Sequence, residues 1–145
     1  MDSAGEKEGL PMIEKLHDHL LDEMKTNTRT DTIFIIAAIS LNLITLAVNS
    51  AVAATDDSAQ KIMIFSVFTL LVIIVNLISI FGLMKGRQTR TKLLKGLMMM
   101  YEDEKVSKYY DTSIMSNYST RYILFTSVVT LTGIVAILVP LILII

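Results

Sequence analysis

The chain predicts an all-α integral membrane protein: three transmembrane helices plus two amphipathic cytoplasmic helices. Three observations carry this prediction. First, the runs Ile33–Ala54, Ile62–Met84 and Tyr122–Ile145 are 22 to 24 residues long and contain no Asp, Glu, Lys, Arg or His. About 20 apolar residues at ~1.5 Å rise span a hydrocarbon core of roughly 30 Å. Second, hydrophobic residues make up 52% of the 145 and mean hydropathy is +0.57, values that three such spans impose on a small chain. Third, the stretches between the spans are too short to enclose an ordinary enzyme domain with its own core.

The chain divides into an arm (1–32), a transmembrane hairpin (33–84), a second polar segment (85–121) and a last span (122–145). In the arm, Pro11 suits a first helical turn. Ile13, Leu16, Leu20 and Met24 then recur at helical spacing among Glu14, Lys15, Asp18, Asp22 and Glu23. This predicts an amphipathic helix over residues 10–26. Thr26–Thr32 alternates threonine with polar residues, is poor in helix formers, and predicts a hinge into the first span. Met1–Gly9 lacks the basic n-region of a cleavable signal, so the first span is expected to act as an uncleaved anchor.

The hairpin spans are 33–54 and 62–84, joined by a short turn around Asp56 and Asp57. Asp57, with Gln60 three residues on, matches a helix-capping pattern. In the segment that follows, Leu94, Leu97, Met98, Tyr101, Val106 and Tyr109 fall near one helical face, predicting a helix over 88–110 that continues from the second span. Residues 111–120 are polar and return the chain to the membrane.

Charge sets the expected orientation. Lys85, Arg87, Arg90, Lys92 and Lys95 lie within eleven positions with no acid among them. Lys15, Lys25 and Arg29 precede the first span, and Arg121 directly precedes the third. The turn between the first two spans carries Asp56 and Asp57 against Lys61. The expected arrangement in the cell membrane therefore puts the N-terminus and residues 85–121 in the cytoplasm. The turn and the C-terminus lie outside. Asn117-Tyr118-Ser119 matches a glycosylation pattern but falls on the inner side of that topology.

The spans are uncharged, yet polar side chains recur in them. Asn42, Thr45 and Asn49 form a narrow stripe on the first. Ser66, Thr69, Asn76 and Ser79 share a face of the second, and Thr126, Thr130, Gly133 and Pro140 a face of the third. At ~1.5 Å rise, Asn42, Asn76 and Thr130 all sit about 12–13 Å from the inner ends of their spans. Asn49 and Thr69 are seven residues further out, giving a second polar layer. Two readings fit this pattern: interhelical hydrogen bonding, or the lining of a water-filled path in an oligomer. The expected function is a homo-oligomeric pore or ion channel, with Asn42, Thr45, Asn49, Ser66, Thr69, Asn76 and Thr130 near the path and Asp56 and Asp57 at its outer mouth. The alternative is a non-catalytic scaffold or accessory subunit that docks a cytoplasmic protein partner.

Several classes are disfavoured. Net charge is −1, which gives no basic field for nucleic acid. There is no cysteine, so disulfides, thiolate metal sites and cysteine nucleophiles are excluded. The spans carry no ionisable group of the kind pumps and proton-coupled carriers use. Glu14 and His17 make one E-x-x-H, but di-iron bundles need two such motifs and further glutamates. His17 and His19 point to opposite sides of a helix and cannot share a metal. No enzymatic activity and no cofactor are expected. The expected partners are the lipid bilayer, further copies of the chain and possible cytoplasmic proteins.

Overall fold

A computed structural model describes residues 3–54, 58–111 and 113–144. It contains three long helices: α1 (Ser3–Ala53), α2 (Ser58–Asp103) and α3 (Ser113–Ile144). A single 3-10 turn, Ser107–Tyr109, joins α2 to α3, and the described residues contain no strand. Each helix has a stretch long and apolar enough to cross a membrane.

Hydrogen bonds define how the helices run. Asn42 meets Asn76, and Thr28 meets Arg90, so fourteen residues back along α1 are fourteen residues forward along α2. The two are antiparallel. Asn27 and Asp31 meet Tyr122 while Asn42 meets Thr132, so α1 and α3 run in parallel. The bundle thus has a basic end, where Arg87, Arg90 and Arg121 lie, and a turn end between α1 and α2.

Buried positions follow one seam per helix. On α2 they are Val72, Asn76, Ser79, Leu83, Gly86, Arg90, Leu94 and Leu97, at alternating intervals of mostly three and four residues. On α1 they are Asp31, Ala38, Asn42, Thr45, Asn49 and Ala53, and on α3 Tyr122, Val129, Gly133, Ala136 and Pro140. That spacing is the knobs-into-holes repeat of a left-handed coiled coil. The apolar core of the bundle is Ala38, Leu83, Tyr122 and Val129, with Ile35, Ile39, Ile80 and Phe125 against it. The remaining apolar side chains, such as Ile36, Leu43, Val67, Leu70, Ile78 and Leu131, face outward. This is the distribution expected when the surroundings are as apolar as leucine.

The first amphipathic helix, predicted to be set off by a hinge, is instead an extension of α1, and the second continues from the second span within α2, as expected. No hinge breaks residues 26–32. The hydroxyls of Thr28, Thr30 and Thr32 donate to the carbonyls of Met24, Thr26 and Thr28 at 2.9, 3.0 and 2.9 Å, which keeps them inside the helix. Asn27, Thr28 and Asp31 also bond to α2 or α3, and these tertiary contacts override weak propensity. Nor does α2 reach residue 110. Lys105 takes a left-handed φ of 58°. Val106 N–H donates to Tyr101 O at 2.9 Å and Lys105 N–H to Glu102 O at 3.0 Å, the double bond of a Schellman stop. The polar stretch predicted for 111–120 is already helical from Ser113, whose N–H donates to Asp111 Oδ1 at 2.8 Å. That bond holds the Asp111 carboxyl below its ordinary range. Asp56 and Asp57, with the cap predicted for Asp57, lie outside the described residues.

Candidate functional site

Polar side chains enter the seam at three levels. At the basic end, just before the apolar part of α1, Asp31 accepts a hydrogen bond from the Tyr122 hydroxyl of α3. Asn27, one turn earlier, donates to Gly86 O at 3.0 Å and to Tyr122 Oη at 3.1 Å. Arg90 donates to Thr28 Oγ1 and, at 3.0 Å, to Met24 O, and its guanidinium lies 4.5 Å from the Tyr118 ring centroid. Thus Asn27, Thr28 and Asp31 of α1 hold both other helices. Burial raises the Asp31 pKa above the ordinary carboxylate value. The Tyr122 hydrogen bond and the positive charges of Arg90 and Arg121 oppose that shift. Gly86 permits this closeness: a Cβ there would collide with Asp31 Oδ1.

The middle level is a closed amide ring. Asn42 Nδ2 donates to Asn76 Oδ1 at 3.1 Å and to Thr132 Oγ1 at 3.0 Å. Asn76 Nδ2 donates back to Asn42 Oδ1 at 2.7 Å and to Val72 O at 2.8 Å. Both amides find enough partners within one chain for all their N–H groups. Gly133 leaves room for the pair, since a Cβ there would stand 2.9 Å from the Asn76 amide.

The outer level differs. Thr45 and Asn49 are fully buried, and Thr69 sits opposite Asn49 in the register set by the Asn42–Asn76 pair. The Thr45 hydroxyl, both amide atoms of Asn49 and the Thr69 hydroxyl have no hydrogen-bond partner among the described residues.

No known family, curated protein or solved structure matches this chain. Its function must therefore be read from its own geometry.

Of the residues singled out from sequence, Asn42 and Asn76 are brought together, and Thr45, Asn49 and Thr69 lie one to two turns further out. Ser66 stands apart from them: it is exposed and donates to Ile62 O at 2.8 Å. Thr130, expected in the layer of Asn42 and Asn76, is half-buried instead. It lines an open groove of about 190 Å³ between α2 and α3, beside Gly133 and Ile134, and Thr132 takes its place at Asn42. The basic-end cluster of Asn27, Thr28, Asp31, Gly86, Arg90 and Tyr122 was not expected. Its signal is the i, i+4 pairing of Asn27 with Asp31 and of Gly86 with Arg90, each on a helical seam.

Beyond the basic end, α1 and α2 stay together as a stalk. His17 Nε2 and Tyr101 Oη are hydrogen-bonded at 3.0 Å, and the Tyr101 ring centroid lies 5.3 Å from that of Tyr110, the two rings tilted by 55°. His19 is exposed, and no group of His, Asp and Glu among the described residues is arranged to hold a metal ion.

Proposed function

We propose that this chain is a non-catalytic membrane scaffold or accessory subunit. Its basic end faces the cytoplasm and its stalk docks a cytoplasmic protein. The observation that carries this reading is the amide ring. Asn42 of α1 bonds both Asn76 of α2 and Thr132 of α3 inside a single chain, so the polar stripe serves to lock three helices together. The locked bundle then carries α1 and α2 past the membrane as continuous rods. Met12, Leu16, Met99 and Tyr109 remain exposed on that part of the molecule. Exposed large apolar side chains in a polar setting are what a partner surface requires. The positive charge of Lys85, Arg87, Lys92 and Lys95 supports the orientation.

A second reading, a homo-oligomeric pore, is favoured by one observation: the unpartnered polar atoms of Thr45, Asn49 and Thr69. Ion flux from liposomes holding the purified protein separates the two. The scaffold reading expects no flux above empty liposomes, for wild type and Asn42→Leu alike. Wild-type flux that falls in Asn42→Leu at unchanged oligomer mass would replace it with the pore.

A further inference from the structure

Thr45 and Asn49 have no exposed surface, yet their polar atoms and the Thr69 hydroxyl have no hydrogen-bond partner among the described residues. Buried polar groups in proteins are almost always paired, with protein or with water. Four unpaired atoms at one level of one seam call for a partner. A third strand of the seam adds another acceptor. Pro140 of α3 is fully buried and has no N–H, so the carbonyl of Ala136, also fully buried, has no helical donor. With Asn42 beside Thr132, the parallel register sets Thr45 and Asn49 level with the turn from Ala136 to Pro140. Proline is tolerated in apolar spans where neighbouring side chains or ordered water meet the freed carbonyl.

The missing partner must both donate and accept. Asn49 Nδ2 needs an acceptor, the Ala136 carbonyl a donor, and the two hydroxyls take either. A metal cation would serve the oxygens and leave Asn49 Nδ2 unpaired. Water serves them all. The packing at these atoms closes them off from solvent, so water enters only when the helix ends move apart. The turn end is where that motion is easiest. The apolar core of Ala38, Leu83, Tyr122 and Val129 and the basic-end cluster both lie on the far side of the amide ring. Towards the turn end, Pro140 also removes one backbone bond from α3.

We propose that water reaches Thr45, Asn49 and Thr69 from the turn end, and that the Asn42–Asn76 pair is where this wet path stops. The bundle is then half wet and half dry, divided at the amide ring. This goes beyond the scaffold reading and holds whether or not the stalk binds a partner.

The chain has no cysteine, so single cysteines report without background. Thr45→Cys, Asn49→Cys and Thr69→Cys are placed one at a time in the full chain in lipid vesicles, beside Ala38→Cys and Val129→Cys below the ring and the outward-facing Leu43→Cys. A small charged methanethiosulfonate reacts only with a thiolate that water has reached. The three outer-level variants are expected to react roughly tenfold or more faster than Ala38→Cys, Val129→Cys and Leu43→Cys. Equal rates at all six positions overturn the proposal. Fast reaction at Ala38→Cys as well overturns the stop at the amide ring. Should Asn49→Cys fail to fold, the two threonine replacements, which change little in size, carry the test.

Discussion

Gly86→Ala is expected to cost more stability than any other single methyl group added to the bundle. The new Cβ would collide with Asp31 Oδ1 and stand 2.9 Å from its carboxyl carbon. Asp31 is a short side chain held by Tyr122 and cannot fold away at little cost. Two relaxations remain. Either α1 and α2 separate, for which overpacking of this kind costs roughly 1–3 kcal/mol. Or the carboxylate turns out of place and leaves the Tyr122 hydroxyl without its acceptor, at ~1–3 kcal/mol. Denaturant unfolding in mixed micelles measures the loss. Gly96→Ala is the control, because a Cβ there meets nothing within 4 Å. It should be neutral or stabilising, since alanine favours a helix by up to about 1 kcal/mol over glycine. Equal stability of the two variants would refute the close approach of Asp31 to Gly86.

Asn76→Leu is the second large effect. Leucine has nearly the shape of asparagine, so the change removes hydrogen bonds more than volume. Asn42 Nδ2 then keeps Thr132 Oγ1 and the Val129 carbonyl as acceptors, but Asn42 Oδ1 loses the donor that Asn76 supplies. An orphaned buried amide oxygen costs roughly 1–3 kcal/mol. The double variant Asn42→Leu/Asn76→Leu removes both partners and leaves no orphan. It should be no less stable than the worse single variant, with a coupling energy of about 0.5–3 kcal/mol in the double-mutant cycle. Additive losses in that cycle would mean that the two amides do not depend on each other.

The spans and the matched depth of Asn42 and Asn76 were legible from sequence, because hydropathy and helical rise are local properties. What escaped is what depends on a neighbouring helix. Thr130 and Thr132 are two residues apart and equally polar, and only the rotation of α3 decides which faces Asn42. Threonine-rich 26–32 looks like a break because propensity judges each residue alone, whereas Asn27, Thr28 and Asp31 are held in the helix by Gly86, Arg90 and Tyr122. The stop at Lys105 carries no glycine to announce it. Even the basic run of residues 85–95 hides two kinds of arginine. Arg87 is exposed and donates to Ser119 at 2.6 Å, while Arg90 turns inward to Thr28.

The absence of a joint in α1 has a mechanical consequence. A helix running unbroken from Ser3 to Ala53 cannot change its lean within the bilayer without swinging its other half. His17 lies sixteen residues before the first apolar residue of the span, a lever arm of ~24 Å at helical rise. Helices lean further when the surrounding bilayer thins and straighten when it thickens. A change of ~10° in lean would carry His17 sideways by about 4 Å. Tyr101 on α2 moves with it, because the two side chains are bonded. With no joint in α1, any change of lean in the span would reach the stalk as a sideways displacement.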